Sequence, residues 1–302
     1  HKTPKIKAKA ESFLTDIYKV VGGKVIQCIG EVSSKRGEAL IKTLEGMDVS
    51  KSINKKECIL GDFEKATRRI LILGNSFSSS FIGAFEEITK DKNSIVLTSS
   101  WGASVVPLIP NNSQWQESNK YYWNKLVPNL LEELKEGDVV FIMSALEEFN
   151  SSESNLGLLE KGLREFSNEL SNKSLGLLFL NSLPSRFKDK NNNNCGVVEG
   201  TKNWFNTFSV CKPIFKEKDS FLKERLGLDK MLLNLEKENI LVSVDLIDIF
   251  CPGEYCTFTN KEGIYLYRDN YHPSVDASKL SSSIIKINLD RLINMRSSKN
   301  QI

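Results

Sequence analysis

Arg69-Ile70-Leu71-Ile72-Leu73-Gly74-Asn75-Ser76-Phe77-Ser78-Ser79-Ser80 is the stretch from which the fold of this chain can be read. Consecutive aliphatic residues bounded by a glycine have the length and composition of a strand buried on both faces, and such strands belong to parallel sheets covered by helices. Helical periodicity takes over across residues 81–89. Ser76 therefore falls on a strand-to-helix turn. That placement exposes its hydroxyl at the sheet edge, close to helix N–H groups that have no intrahelical partner and can receive developing negative charge.

The same alternation continues along the chain. Short apolar runs at 70–73, 94–97, 138–143, 175–180 and 240–244 read as strands, and amphipathic segments at 81–89, 121–134, 156–170, 219–238 and 274–295 read as helices. This order predicts a three-layer α/β/α sandwich with a mostly parallel, flavodoxin-like five-stranded sheet. Residues 1–65 read as an N-terminal extension: a lysine-rich start (Lys2, Lys5, Lys7, Lys9), then a helix and loops bearing Cys28 and Cys58. Residues 66–296 form the α/β domain and 297–302 a tail, with Asn191 to Asn194 as a surface loop. In such sheets ligands bind outside the carboxyl ends of the strands, so residues that directly follow strands carry the functional reading.

Composition narrows the function classes. With 302 residues, 40% hydrophobic and 26% charged, the chain can build a substantial core, which excludes collagenous, coiled-coil and disordered classes. Apolar runs such as Val139 to Met143 fall far short of the roughly 18 residues that span a bilayer. A balance of 41 basic against 38 acidic residues leaves a formal charge of +3, without the basic excess of a nucleic-acid binder. Six cysteines without a CxxC pair, and without a second interior histidine, argue against a metal site. Their pairing is open from sequence, although Cys251 and Cys256 are close enough to close a short loop. Sequons at Asn111, Asn150 and Asn172, taken with the cysteines, point to the cell exterior or the secretory lumen. The chain opens with His1 and carries no apolar signal segment, so a targeting or anchoring region is expected outside this stretch.

Apart from His1, His272 is the one histidine, so imidazole chemistry near neutral pH rests on it. It stands in Tyr267-Arg268-Asp269-Asn270-Tyr271-His272-Pro273-Ser274, before the last expected helix. Asp269 lies three residues earlier, a spacing that lets a carboxylate reach the ring, fix its tautomer and stabilise the imidazolium. A serine hydroxyl needs such a base to become a nucleophile. Each residue also has an ordinary reading: Ser76 as a helix cap or part of a phosphate cradle, His272 as a structural histidine. Their placement at the first and last strand ends of one sheet favours the joint reading.

These residues resemble the SGNH (GDSL-type) hydrolase superfamily, whose first block is Gly-Asp-Ser and whose last is Asp-x-x-His. More narrowly, the chain is similar to the SGNH domain fused to acyltransferase family three membrane proteins. The narrower likeness rests on Cys251 and Cys256 ahead of Tyr267 to His272, on Ser99-Ser100-Trp101-Gly102-Ala103-Ser104 with Val106-Pro107-Leu108, and on residues 138–143. The resemblance covers roughly residues 58–295. It implies Ser76 as nucleophile, His272 as general base and then acid, Asp269 as the residue orienting the imidazole, and backbone N–H groups of Ser76 and Gly102 in an oxyanion hole. It also implies a Cys251–Cys256 disulfide. Asn75 stands where the family usually has Asp, and Phe77 where a histidine often follows the serine. The third block has Met143-Ser144-Ala145 in place of the superfamily's asparagine donor, for which Ser144 could substitute.

The implied function is an O-acyltransferase domain that moves an acyl group, acetyl in the first instance, to a hydroxyl acceptor such as a carbohydrate through a Ser-linked acyl-enzyme. Its partners would be an acyl donor, that acceptor and a fused or associated membrane acyltransferase domain; no cofactor and no nucleic acid are expected. A secreted or luminal esterase and a noncatalytic binding or interaction domain on the same scaffold remain the alternatives.

Overall fold

The computed structural model describes residues 18–21, 24–27, 59–98, 103–110, 116–149, 153–193, 214–267 and 271–299. Near the start, β1 (Tyr18–Val21) and β2 (Lys24–Gln27) pair antiparallel as a hairpin of their own, with Val21 opposite Lys24. The sequence reading expects a helix and loops in this region, yet its described part is extended. Val20, Val21, Val25 and Ile26 favour strand backbone, and Gly22-Gly23 between them is a hairpin-turn pair in the sequence.

The main sheet contains β3 (Ile59–Leu60), β4 (Arg68–Gly74), β5 (Asn93–Leu97), β6 (Val139–Met143), β7 (Gly176–Leu180) and, later in the chain, β9 (Val242–Val244). Their spatial order is β3-β5-β4-β6-β7-β9. The five expected strands are the five parallel ones, in flavodoxin-like order. The two-residue β3 adds an antiparallel edge, Ile59 opposite Val96. A small side pair joins β8 (Lys216–Glu217) to β10 (Tyr255–Cys256).

Period-two alternation sends each strand's side chains into two separate cores. Ile70, Ile72, Phe141, Leu178 and Val242 face one side, where they meet helix residues including Phe85 and Leu289. Leu71, Leu73, Val140, Ile142 and Phe179 face the other, against Tyr122, Leu163 and Leu235. Each buried aliphatic side chain contributes about 1.5–3 kcal/mol, which is why the central strands read as unbroken apolar runs.

The helices are α1 (Ser76–Ser80), α2 (Ile82–Ile88), α3 (Gln116–Tyr121), α4 (Val127–Leu131), α5 (Glu153–Asn172), α6 (Lys218–Glu224), α7 (Leu226–Lys237), α8 (Ile247–Phe250) and α9 (Val275–Lys299). Between α3 and α4 one π-helical turn, Tyr122–Leu126, absorbs the entry of Pro128, which has no N–H to continue the α-helical ladder. Helices α2 and α9 approach so closely that a Cβ on Gly83 would lie 2.6 Å from Ser278 Oγ and 2.7 Å from the Val275 carbonyl. This contact ties the start of α9 to the helix that follows β4. Cys251 and Cys256, both fully buried, are joined as a disulfide between α8 and β10. No helix among the described residues is long and apolar enough to cross a membrane.

Candidate active site

Strand β4 delivers Ser76 to the carboxyl edge of the sheet through a tight turn. Gly74 pairs with Met143, and a Cβ there would sit 1.9 Å from the Met143 carbonyl oxygen, so no side chain fits. The Gly74 N–H, at the end of its ladder, donates to the buried Tyr122 hydroxyl at 2.9 Å. That hydroxyl also bonds Thr98 Oγ1 at 2.7 Å, and Thr98 Oγ1 in turn donates to the Ile72 carbonyl at 2.7 Å. Burial holds the Tyr122 phenol well above its ordinary range, so it stays protonated.

Asn75 caps α1, its side-chain oxygen accepting from the Phe77 N–H at 3.0 Å. The asparagine where the family usually has Asp thus performs the capping that either side chain can perform. Of the hydroxyls that follow, Ser78 donates to the Asn75 and Thr98 carbonyls, while Ser79 and Ser80 both donate to the Ser76 carbonyl. Backbone carbonyls accept from these three hydroxyls, which tie the turn to the start of α1.

Ser76 Oγ lies 2.7 Å from His272 Nε2, across 196 residues of sequence. The histidine is held on both sides along the chain. Upstream, Tyr267 bridges Pro273, and the buried Tyr267 hydroxyl donates to the Pro184 carbonyl at 2.6 Å. Downstream, Ser274 Oγ caps α9 by accepting from the Ala277 N–H at 3.0 Å. Phe77 packs its ring 5.8 Å from the imidazole and 5.1 Å from Tyr271, filling the position where the family often has a histidine. For Nε2 to accept the serine proton, the ring must carry its own proton on Nδ1.

The other expected site residues fall differently. Asp269 and Gly102 lie outside the described residues, as do Asn111 and Asn150. Asn172 is exposed at the last position of α5, and Cys251 is bonded to Cys256. Ser144 directly follows β6, is 3% exposed, and its hydroxyl has no hydrogen-bond partner among the described residues. No cluster of three or more metal-ligating side chains occurs among the described residues. A cavity of about 390 Å³, lined by Glu136, Ser167 and Arg296, lies at the opposite edge, by the amino ends of β6 and β7.

The sequence reading missed one group at this edge. Glu147, in the 3-10 turn after β6, has a side chain only 20% exposed and lies 3.7 Å from Arg186 Nε. Burial pushes its carboxyl up to about 7, against the pull of Arg186 and a hydrogen bond from Tyr271. The same burial, with the Glu147 charge beside it, raises the Tyr271 phenol.

The chain is similar to known proteins. A family model described as "SGNH domain (fused to AT3 domains)" matches residues 43–286. Similar solved structures include a GDSL-like lipase from Bacteroides thetaiotaomicron, 11% identical over 74% of this chain and 88% of that one, with a TM-score of 0.42. The psychrotrophic esterase EstA from Pseudoalteromonas sp. is 10% identical over 75% and 99%, with a TM-score of 0.40. TesA is 12% identical over 74% and 99%, with a TM-score of 0.43. Among curated proteins none matches the chain.

Proposed function

The chain belongs to the family of SGNH domains that are fused to AT3 domains, and from that premise we propose that Ser76 is the nucleophile of a serine acyl-transfer enzyme, His272 its base and Asp269 the residue that orients the imidazole. The observation that carries this reading is the 2.7 Å hydrogen bond between Ser76 Oγ and His272 Nε2. In the first step Ser76 Oγ attacks the acyl carbonyl carbon while its proton passes to Nε2. The imidazolium then protonates the leaving oxygen as the carbon–oxygen bond breaks, leaving an ester on Ser76. An incoming hydroxyl gives its proton to Nε2 as it attacks that ester, and the imidazolium returns a proton to Ser76.

The oxyanion would be met by the N–H groups of Ser76 and Gly102. The buried Ser144 hydroxyl, unpartnered among the described residues, is a candidate third donor in place of the family's asparagine, a donor worth about 100- to 1,000-fold in turnover. On this reading the acceptor is a hydroxyl-bearing compound, a carbohydrate in the first instance, and the acyl group, acetyl first, arrives from the membrane acyltransferase domain to which such domains are fused. Water in the acceptor's place makes the same site an esterase. The residue pattern of sequons and cysteines supports an extracellular or luminal setting, with glycans at Asn111, Asn150 and Asn172. The division at about residue 65 between extension and domain belongs to the same proposal.

A fluorophosphonate probe tests the assignment. Labelling of the native chain, absent in Ser76→Ala and at least about 100-fold slower in His272→Ala, is the expected result, since a positioned base contributes roughly 10²- to 10⁴-fold. A native chain that stays unlabelled would instead support a noncatalytic domain on the same scaffold.

A further inference from the structure

Tyr271 directly precedes His272, and its ring is gripped from three sides. Phe77 meets it edge-on at 5.1 Å, His272 at 5.0 Å and 87°, and the Arg186 guanidinium carbon stands 5.4 Å from its centre. Its hydroxyl is hydrogen-bonded to both Glu147 and Arg186. These contacts come from separate elements at the carboxyl edge: Phe77 from α1 after β4, Glu147 from the turn after β6, Arg186 from the segment after β7. Arg186 holds a left-handed backbone, φ 56°, uncommon for a residue with a side chain. All of them converge on the residue next to the imidazole, and none takes part in the proton transfers described above.

We propose that Glu147 is a positioning residue: with Arg186 it holds Tyr271, and through Tyr271 it aims the His272 ring at Ser76. The proposal rests on the assignment of Ser76 and His272 as nucleophile and base. In the holding arrangement Arg186 donates to the Tyr271 oxygen and Tyr271 donates to a Glu147 oxygen, a charge-assisted bond that weakens when the carboxyl takes up a proton. The charged and titratable groups around that carboxyl are Arg186, Tyr271 and Tyr267 from facing segments, and Glu148, exposed, on its own turn. Both phenols are raised and stay neutral, so Arg186 supplies the counter-charge. Its second oxygen, Oε1, is buried with no hydrogen-bond partner among the described residues, and burial pushes the carboxyl up to about 7. The hold therefore strengthens as pH rises through that value.

The test is the rate at which the fluorophosphonate probe labels Ser76, followed from pH 5 to 9 in the native chain, in Glu147→Gln and in Tyr271→Phe. The glutamine keeps the shape but offers Tyr271 only a neutral, weaker acceptor, leaves Arg186 without its counter-charge and does not titrate; the phenylalanine keeps the ring and removes the link. The native acid limb is expected to be steeper than a single ionisation allows. Both variants are expected to label about tenfold more slowly at pH 8, as a misaimed base requires, with an acid limb reduced to one group. Variants that label at the native rate with the native limb overturn the positioning role and leave Ser76 and His272 untouched. A native chain that does not label overturns both. Should Glu147→Gln fail to fold, by circular dichroism, Tyr271→Phe decides alone.

Discussion

Replacing Tyr122 by Phe removes one oxygen from behind the nucleophile turn, and the cost can be worked from its partners. The hydroxyl accepts from the Gly74 N–H at 2.9 Å and contacts Thr98 Oγ1 at 2.7 Å. Thr98 retains its own bond to the Ile72 carbonyl, so it is not orphaned. Gly74 is: it is buried, its ladder ends there, and no other donor or acceptor is provided for its N–H among these contacts. An unsatisfied buried donor costs about 1–3 kcal/mol. The phenylalanine fills nearly the same volume, so no cavity term is added. In equilibrium urea unfolding with a slope of about 2 kcal/mol per molar, Tyr122→Phe should lower the midpoint by about 0.5–1.5 M at unchanged slope. Thr98→Val removes the other side of the same bond, and the double variant should lose at least about 0.5 kcal/mol less than the two singles added together. An unmoved midpoint in Tyr122→Phe would refute the claim that this hydroxyl holds the end of β4, and strict additivity in the cycle would refute its bond to Thr98.

Arg225→Ala should destabilise the fold by about 3 kcal/mol, because a guanidinium only 2% exposed bonds the Ser182 carbonyl and pairs with Asp245 and Asp229, all left behind by the truncation. Thermal unfolding checks it, and a loss below about 1 kcal/mol would mean that solvent replaces the pair without cost. Glu147→Gln should have the opposite sign. A carboxyl raised to about 7 in the folded chain, from 4.5, binds its proton more tightly when folded, so stability falls as pH rises from about 4.5 to about 7. Removing the titration should leave the variant unchanged near pH 4 and more stable by roughly 2–4 kcal/mol at pH 8, as read by urea midpoints at the two pH values. Equal midpoints for variant and native chain at pH 8 would place the carboxyl in a solvated setting.

The parallel sheet was legible because its strands are buried on both faces. Runs such as Val139 to Met143 then have no polar alternation to confuse with a half-exposed strand. The two-residue β3 shows no period at all, and its place at the edge is decided by pairing with β5. The approach of Ser76 to His272 could be anticipated because strand ends share one edge and the interior histidine is single. Tyr122 could not be anticipated. Within its segment it reads as one more apolar residue on an amphipathic helix, and its partner Gly74 is 48 residues away. Glu147 was hidden for a related reason: Leu146-Glu147-Glu148-Phe149 reads as a solvated acidic pair, and only the tertiary fold buries one carboxyl while leaving its neighbour exposed.

The bond that spans 196 residues also sets a schedule. During synthesis the serine leaves the ribosome long before its imidazole exists, and the histidine sits just ahead of α9, the helix that packs beside Gly83. Until that imidazole arrives the hydroxyl is an ordinary alcohol. On the proposed assignment, reactivity would thus be a late event of folding, set by the docking of α9 rather than by any element before it.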